Sequence, residues 1–239
     1  MKIYNGFSQT PTRNFTAAGI DFFVPNVIDN SEQSEIAIDA LCNSYKTTVE
    51  QINNVFNIAL ECARYDNERL EIIKNNQVNF IHLYYGLKDK VRNIDMVNNT
   101  IEEKIEYFVK NVLTFDSNGR IGVICKFSDM LFINSGIKVA LEPYTSLEYK
   151  NKSGKGCQGW TVKACLVDED YTGYCHLSLQ YLWWDDKLGT IYVGDKLTQG
   201  TVQHVMTDDA VEISLDEYNE IMKNSKRGDG GFGSSDVKH

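Results

Sequence analysis

The chain is poor in the residues that support metal and disulfide chemistry. It has four histidines and six cysteines among 239 residues. No histidine begins an H-x-E motif and no two cysteines form C-x-x-C, which argues against a zinc-dependent nucleobase deaminase. The cysteines are scattered through apolar runs, so the sequence predicts free, buried thiols in a reducing compartment rather than a disulfide scaffold. They are Cys42, Cys62, Cys125, Cys157, Cys165 and Cys175.

Long apolar runs and an excess of basic residues are also missing. No run approaches the length of a membrane span, and residues 1–15 lack the basic-then-apolar order of a signal peptide. The net charge of −9, from 33 acidic and 24 basic residues, predicts a poor general binder of duplex nucleic acid. Gly154-Lys155 has neither the upstream glycine nor the following Ser or Thr of a P-loop. We therefore expect a cytoplasmic protein that binds neither membrane nor nucleic acid; a small polyanion such as a nucleotide would need a local basic pocket.

The apolar pattern changes character twice along the chain. An apolar fraction of 42% is enough to form a core. Near the start, the small residues of Ala17-Ala18-Gly19 precede an apolar run, which predicts a turn entering a strand. From about residue 30 to residue 113 the apolar period is helical, and short alternating segments return after residue 113.

The middle stretch predicts three or four helices packed as a small bundle. Thr100 and Glu103 form a predicted capping box. Residues 102–106 read E-E-x-x-E, half of a helical metal-binding pattern, but the second half does not follow, so we interpret them as a solvated helix face. The three apolar stripes are Ile52, Val55, Phe56, Ala59, Leu60 and Ala63; Phe80, Tyr84, Leu87 and Val91; and Ile101, Ile105, Phe108, Val109 and Val112.

The later part of the chain predicts strands separated by turns. Asp116-Ser117-Asn118-Gly119 is a strong turn signal, and residues 149–156 are predicted to be a basic, glycine-bearing loop. Residues 212–223 form either one short helix or an irregular connector. Strands are predicted at residues 121–126, 130–133, 137–141, 160–167 and 191–193, and a turn and another strand are predicted within residues 194–199.

The most informative stretch is Val167-Asp168-Glu169-Asp170-Tyr171, closed by Gly173. Apolar runs lead into it and out of it, which predicts a strand, a tight turn and a returning strand. A carboxylate fixed at the tip of such a hairpin is well placed to act as a general base.

The chain finishes in a glycine-rich segment. Residues 227–233 contain four glycines, and such a segment is expected to be flexible because ordering it costs much backbone entropy. Arg227, Phe232 and Ser234 stand among these glycines. A charged donor and a ring on a free backbone favour a tail that closes over a polyanion.

Five segments, in order, resemble the motifs of the trimeric dUTPases (deoxyuridine 5′-triphosphate nucleotidohydrolases). They are residues 17–21, 152–154, 167–173, 194–199 and 227–235. The resemblance implies a mainly-β, distorted jelly roll that assembles as a homotrimer, with the helical stretch as an insertion between the first and second motifs. The implied organisation is a discontinuous β domain of residues 1–25 and 115–226, a helical insertion of residues 26–114, and a tail of residues 227–239 that closes a neighbouring subunit's active site.

The resemblance also implies hydrolysis of dUTP to dUMP and pyrophosphate, in bacteria or, if phage-encoded, in the host cytoplasm. Mg²⁺ would be held by the substrate's phosphates without a direct protein ligand. Asp168 would activate the water that attacks the α-phosphate, Tyr171 would pack under the deoxyribose, and Asp21 would support the site. The implied substrate contacts are Val162, Lys163, Cys165 and Leu166 at the uracil edge; Lys152, Ser153, Gly154 and Gln199 at the phosphates; and Arg227, Phe232, Gly233 and Ser234 from the tail.

The sequence departs from the family pattern in two places. Lys152 replaces the usual arginine, which removes a bidentate contact, although Lys155 adds a charge close by. Residues 181–186 do not follow the family's usual strand end. The alternatives are a catalytically altered, nucleotide-binding regulatory protein and a dCTP deaminase-related enzyme, for which Glu169 would be the relevant acid. The helical stretch either docks an unidentified protein partner or is peripheral, in which case removing residues 30–112 would leave a trimeric enzyme.

Overall fold

The computed structural model describes residues 1–13, 17–29, 31–87, 99–164, 166–183, 187–206 and 212–223. The chain forms two compact units, Met1–His204 and Val205–His239. Within the described residues the structure is sheet-rich, with twelve strands and seven α-helices. None of these helices has both the length and the apolar character needed to cross a membrane.

The helices come mostly from the middle of the chain. They are α1 (Glu32–Tyr45), α2 (Val49–Ala63), α3 (Asn67–Lys74), α4 (Gln77–Gly86), α5 (Ile101–Tyr107), which continues into a π-helical turn (Phe108–Val112), α6 (Ser153–Cys157) and α7 (Leu215–Met222). The last of these begins where Ser214 Oγ accepts a hydrogen bond from Glu217 N at 3.2 Å. Of the two alternatives left open for residues 212–223, a short helix or an irregular connector, the structure shows the helix.

The strands form four antiparallel groups. Their order is β2-β12-β7-β9, β5-β10-β8, β11-β4-β3 and β1-β6. The strands are β1 (Lys2–Asn5), β2 (Ile20–Phe23), β3 (Leu113–Phe115), β4 (Ile121–Cys125), β5 (Met130–Asn134), β6 (Ile137–Ala140), β7 (Thr145–Asn151), β8 (Trp160–Val162), β9 (Leu166–Val167), β10 (His176–Tyr181), β11 (Gly189–Tyr192) and β12 (Lys196–His204).

Several local predictions are confirmed. The small-residue run leads into β2, as expected. At the turn before β4, Asp116 Oδ1 accepts hydrogen bonds from Asn118 N and Arg120 N, both at 2.9 Å. Gly119 there has φ of +73°, a conformation that favours glycine. Thr100 N donates to Glu103 Oε2 at 2.8 Å and Glu103 N donates to Thr100 Oγ1 at 3.3 Å, which completes the predicted capping box.

The helical stretch contains more helices than its apolar period predicted. The described part contains five α-helices where three or four were expected. Thr48 accepts a hydrogen bond from Gln51 N and Asp66 from Arg69 N, so each starts a new helix. The first two apolar stripes are largely buried, while Val91 lies outside the described residues and Ile101 is exposed.

Helix α4 joins the helical stretch to the sheets. All of its residues from Val78 onward are buried. Asn79 exchanges two hydrogen bonds of 2.9 Å with the backbone of Val27. At its end, Gly86 packs so closely on β5 that an added Cβ would lie 2.8 Å from Ile133 Cδ1. One apolar core therefore runs from the sheets into the helices. The insertion boundaries of residues 26–114 stay a prediction.

Two predicted elements near the candidate site are wrong. Residues 160–167 are not one strand, because β8 pairs with β10 while β9 pairs with β7. The returning strand β10 therefore does not pair with β9. The residues predicted to form a tight hairpin instead form a turn within the longer connection between β9 and β10. Residues 149–156 are not a loop: β7 extends to Asn151 along β12, and Gly156 N donates to Lys152 O at 2.8 Å within α6.

Five of the six cysteines lie in the described residues, and none of these five forms a disulfide, as expected. Cys125 and Cys175 are buried, and Cys42 and Cys62 are partly buried. Cys157 is exposed on α6, so the expectation of burial is wrong for this thiol. Cys165 lies outside the described residues.

Candidate functional site

The turn that carries Asp168 borders a cavity of about 180 Å³. Val167 is buried and pairs with Leu147 of β7, which anchors the chain just before the turn. The cavity is lined by Phe132, Tyr149, Ala164, Leu166, Val167, Asp168, Tyr171, Cys175 and His176. Asp168 and Tyr171, singled out from the sequence, thus share one cavity.

The turn holds Asp168 at the surface. Tyr171 N donates to Asp168 O at 3.2 Å, while the Asp168 side chain stays exposed to solvent. The neighbouring Glu169 differs, because its carboxylate accepts a hydrogen bond from Tyr144 N. Of these two acids, Asp168 is the one that lines the cavity, and Glu169 stabilises the turn.

Tyr171 is held by its own hydroxyl. Its Oη donates to Tyr174 O at 2.9 Å, and the phenol lies directly over Gly173. A Cβ at Gly173 would lie 2.5 Å from Tyr171 Oη, so glycine is required for this close approach. Burial, with Cys175 nearby, raises the pKa of the Tyr171 phenol, which keeps it a neutral donor.

The floor of the cavity consists of residues that sequence reasoning missed. Phe132 of β5 and His176 of β10 stack with ring centroids 4.6 Å apart and an interplanar angle of 6°. Tyr149 of β7 is 3% exposed and meets the Phe22 ring edge-on at 4.9 Å. These rings come from three strands, and no local spacing in the sequence indicated that they would meet.

A second cluster gathers residues of the first, second and fourth predicted motifs. Asp21 is buried, and its two carboxylate oxygens bind Lys152 Nζ at 2.8 Å and Lys196 Nζ at 2.9 Å. Burial opposes ionisation of Asp21, but the hydrogen bonds and charges of the two lysines outweigh it and hold its pKa below the ordinary 3.8. Asp21 thus ties the second motif to the fourth.

Gln199 lies beside this acid. Strand β12 places Gln199 opposite Asp21 on one side and Lys150 on the other. Gly19 packs against it, since a Cβ there would lie 3.1 Å from Gln199 Cβ. Ser153 and Gly154 begin α6 and are exposed. The predicted phosphate-contacting residues therefore lie at one end of the four-stranded sheet.

The residues of the second cluster do not line the Asp168 cavity. Asp21, Lys152, Ser153, Gly154 and Gln199 are absent from the lining of the Asp168 cavity. Strand β7 connects the clusters, because it carries Tyr149 at the cavity and ends beside Gln199.

The residues predicted to contact the edge of the base differ in where the structure places them. Val162 N donates to Asn151 Oδ1 at 2.7 Å and Lys163 N donates to Ser178 O at 2.9 Å, so both amides are already used. Leu166 borders the cavity. Cys165, Arg227, Phe232, Gly233 and Ser234 lie outside the described residues.

The described residues contain no group of three or more His, Cys, Asp or Glu side chains that could hold a metal ion. This includes the E-E-x-x-E segment on α5. There, Glu103 serves in the capping box and Glu106 pairs with Lys110.

Comparison with known proteins finds similarity among solved structures only. No protein-family model matches the sequence. No curated protein matches it either. The EIAV dUTPase is 16% identical, covers 44% of this chain and 93% of its own, and has a TM-score of 0.35. The dUTPase of Staphylococcus bacteriophage 80alpha with dUpNHpp is 16% identical, covering 48% and 81%, with a TM-score of 0.39. A variant dUTPase from phage phi11 of S. aureus, which coordinates a structural Mg(II) ion, is 14% identical, covering 39% and 77%, with a TM-score of 0.34.

These scores are too low to carry a functional argument. The neighbours are dUTPases with very different residues at most aligned positions.

Replacing Asp21 with Asn is expected to lower the free energy of unfolding at pH 7 by about 1–2 kcal/mol, because two ammonium groups lose their counter-charge. The figure is modest because the Lys152 and Lys196 side chains are 30% and 37% exposed, so solvent screens both pairs. Since folding lowers the pKa of Asp21, its contribution is present above pH 3.8 and is lost as the pH falls through the folded-state value.

Urea denaturation of the wild type and the Asp21→Asn variant between pH 7 and pH 2 measures this difference. The gap in stability should shrink below pH 3.8. Asp39→Asn, on the exposed face of α1, is the matched control and should change little at any pH. A gap that is the same at every pH would contradict the role given to the Asp21 charge.

Proposed function

We propose that this protein is a dUTP pyrophosphatase that hydrolyses dUTP to dUMP and pyrophosphate. The observation that carries the proposal is the cavity bordered by Asp168 and Tyr171, whose segment resembles the third motif of the trimeric dUTPases. The cavity is largely apolar and has one free carboxylate at its edge. Such an arrangement suits a nucleoside placed next to a water-activating base.

Asp168 is the proposed general base. Its carboxylate is exposed at the cavity, whereas the Glu169 carboxylate is occupied by Tyr144 N. Asp168 accepts a proton from the water that attacks the α-phosphate, and pyrophosphate leaves with the electron pair of the broken anhydride bond. One positioned base of this kind contributes about 10²–10⁴-fold in rate.

Tyr171 is the proposed sugar platform. Its hydroxyl is already bonded to Tyr174 O, so the ring face, not the hydroxyl, is offered to the ligand. A deoxyribose can pack against that face. A ribose 2′-hydroxyl would be desolvated there without a partner, which favours deoxynucleotides.

The phosphates are assigned to the second cluster. Ser153, Gly154 and Gln199 supply the hydroxyl, the backbone amide and the side-chain amide. Lys152 is already paired with Asp21, so we assign it to holding the Ser153 segment in place. Since this cluster and the Asp168 cavity are separate within one chain, we propose a homotrimer in which neighbouring copies combine them.

Magnesium and the tail complete the proposal. Mg²⁺ would neutralise phosphate charge when bound, and the triphosphate itself offers the oxygen ligands that Mg²⁺ prefers. Arg227, Phe232, Gly233 and Ser234 are proposed to close over the substrate and exclude water.

A pyrophosphate-release assay with dUTP, dCTP, dTTP and UTP, each with and without magnesium, tests the proposal. The expected result is magnesium-dependent release from dUTP, with little release from the other three nucleotides. Ammonia release from dCTP would instead indicate a deaminase-related enzyme. Binding of dUTP without release would indicate a regulatory nucleotide-binding protein. Either of these outcomes would overturn the pyrophosphatase assignment.

A further inference from the structure

A second cavity, of about 600 Å³, lies apart from the residues assigned so far. Its lining includes neither Asp168 nor Asp21, and none of the proposed phosphate contacts. The volume falls within the range of about 300–1,000 Å³ typical of small-molecule sites. We name it the Arg120 cavity, and the lining residues that define it here are Arg120, Lys155, Trp183, Lys187, Tyr192 and Asp195.

One end of the Arg120 cavity is rich in hydrogen-bond donors. Arg120 Nη1 donates to Asp195 Oδ1 and Lys155 Nζ donates to Asp195 Oδ2, both at 3.1 Å. Donors remain, because Lys155 Nζ has two further N–H groups and Arg120 Nη2 has no hydrogen bond within the described part of the chain. Both oxygens of Asp195 are occupied, and Oδ2 also accepts from Tyr192 N at 3.3 Å. Since the Arg120 side chain is 40% exposed, an anion can reach this end.

The charge of this cavity is opposite to that of the whole protein. Three cations line it, namely Arg120, Lys155 and Lys187. The carboxylates paired with them in the described residues are Asp195 and Asp116. These five groups carry a net positive charge, whereas the chain as a whole has a net charge of −9. A small anion is therefore attracted here more than to most of the surface.

The other end of the cavity is aromatic. The rings of Trp160 and Tyr181 lie with their centroids 5.0 Å apart. Gly189 packs directly on them, since an added Cβ would lie 2.6 Å from Tyr181 Cε2 and 3.0 Å from Trp160 Cζ2. Trp183 is half-buried, and Lys187 Nζ lies 4.8 Å from the centre of its ring. A partly exposed indole of this kind can stack on a nucleobase.

Strand β11 connects the two ends. Gly189, its first residue, packs on the aromatic end, and Tyr192, its last, has the Arg120 guanidinium 5.4 Å from its ring centre. A strand rises about 3.3 Å per residue, so the two ends lie about 10 Å apart. This separation suits a molecule with an aromatic ring at one end and a polyanion at the other, which is the construction of a nucleotide.

We propose that the Arg120 cavity binds a nucleoside phosphate, with the phosphates at Arg120 and Lys155 and the base against Trp183. The inference goes beyond the proposed catalytic activity and does not depend on which substrate the protein hydrolyses. Asp195 is the only acid among the described lining residues, and both of its oxygens are occupied. The cavity therefore has no free carboxylate to act as a base, and we assign it binding and not catalysis.

Cys157 provides a direct readout, because it lines the cavity and is exposed. The test measures the rate at which iodoacetamide alkylates each cysteine of the full-length protein, by mass spectrometry of its peptides. Saturating ATP should slow alkylation of Cys157 several-fold and leave Cys42 and Cys62 unchanged. Adenosine and tripolyphosphate each reach only one end, so each should need at least about a 10-fold higher concentration for the same protection.

Substitutions at the two ends give the second measurement, by isothermal titration. Trp183→Ala should weaken ATP binding at least about 5-fold and leave tripolyphosphate binding unchanged. Lys155→Gln should weaken binding of both probes about 10-fold, because it removes a charged donor. Lys46→Gln, at an exposed position after α1 and outside the lining, is the matched control and should bind as the wild type does. Gln199→Leu, at the proposed phosphate contacts, should also leave ATP binding unchanged.

The outcomes separate this inference from the pyrophosphatase proposal. Protection of Cys157 by ATP that weakens in Trp183→Ala and Lys155→Gln supports the site. If ATP does not protect Cys157, or tripolyphosphate protects it as well as ATP, the inference is overturned and the pyrophosphatase assignment stands. ATP binding that is lost in Gln199→Leu would also overturn it, since the nucleotide would then lie at the proposed phosphate contacts. The comparison of ATP with its two fragments needs only the wild type, so it decides the question even if Trp183→Ala does not fold.

Discussion

Replacing Asp168 with Asn is expected to slow pyrophosphate release from dUTP by about 10²–10⁴-fold while nucleotide binding persists. The substitution keeps the size of the side chain and removes only its basicity. The side chain is exposed and the turn is closed by backbone atoms, so the fold should not change. Steady-state pyrophosphate release with magnesium gives the rate, and equilibrium binding of a non-hydrolysable dUTP analogue gives the affinity.

The same turn provides the control. Asp170 is exposed and does not line the cavity, so Asp170→Asn should keep nearly full activity. This comparison separates the specific loss of a base from a general loss of negative charge in the turn. Normal turnover in Asp168→Asn would remove Asp168 from the chemistry, even if dUTP proved to be the substrate.

Replacing Phe80 with Ala is expected to lower the free energy of unfolding by about 3–5 kcal/mol. Phe80 is fully buried, and its ring meets Phe56 at 6.3 Å, Tyr84 at 6.4 Å and Phe108 at 5.7 Å. Removing the ring leaves a cavity that these neighbours cannot fill. Guanidinium denaturation followed by circular dichroism measures the change, and Tyr65→Ala, at a side chain that is 87% exposed, should change stability by only about 0.5 kcal/mol.

The Phe80 result also decides how the helical stretch relates to the sheets. Because one core includes both, we expect a single cooperative transition that Phe80→Ala shifts as a whole. Removing residues 30–112 should then expose the β5 surface on which Gly86 packs and prevent folding, contrary to what a peripheral insertion would imply. Two separate transitions, with only one affected by Phe80→Ala, would instead favour a peripheral bundle.

The contact of the helices with β5 reaches the candidate site. Tyr45 Oη of α1 donates to Phe132 O at 3.1 Å, and Phe132 forms the floor of the Asp168 cavity with His176. The helical stretch therefore supports the strand behind the cavity. The sequence suggested that the helical stretch either docks a partner or is peripheral. Neither hypothesis predicted this contact with β5.

Local features were predictable wherever the interacting atoms are close in sequence. The Thr100–Glu103 capping box and the Asp116 turn each depend on residues within four positions, and both formed as expected. Strand pairing was less predictable. Residues 160–167 have a continuous strand-like pattern, yet β8 and β9 separate because each finds a different partner strand. The apolar pattern indicates which side chains are buried, but it does not indicate which neighbouring strand buries them.

The sequence by itself determined that an acid and a phenol stand together on a turn, because Asp168 and Tyr171 are three residues apart and their backbone atoms close that turn directly. The tertiary structure alone decided what surrounds them. Asp21 meets Lys152 and Lys196 from 131 and 175 residues away, and Tyr149, Phe132 and His176 reach one cavity from three strands. Such contacts depend on which strands pair and in which register, and that choice is made by the burial of the whole core rather than by any short run of residues.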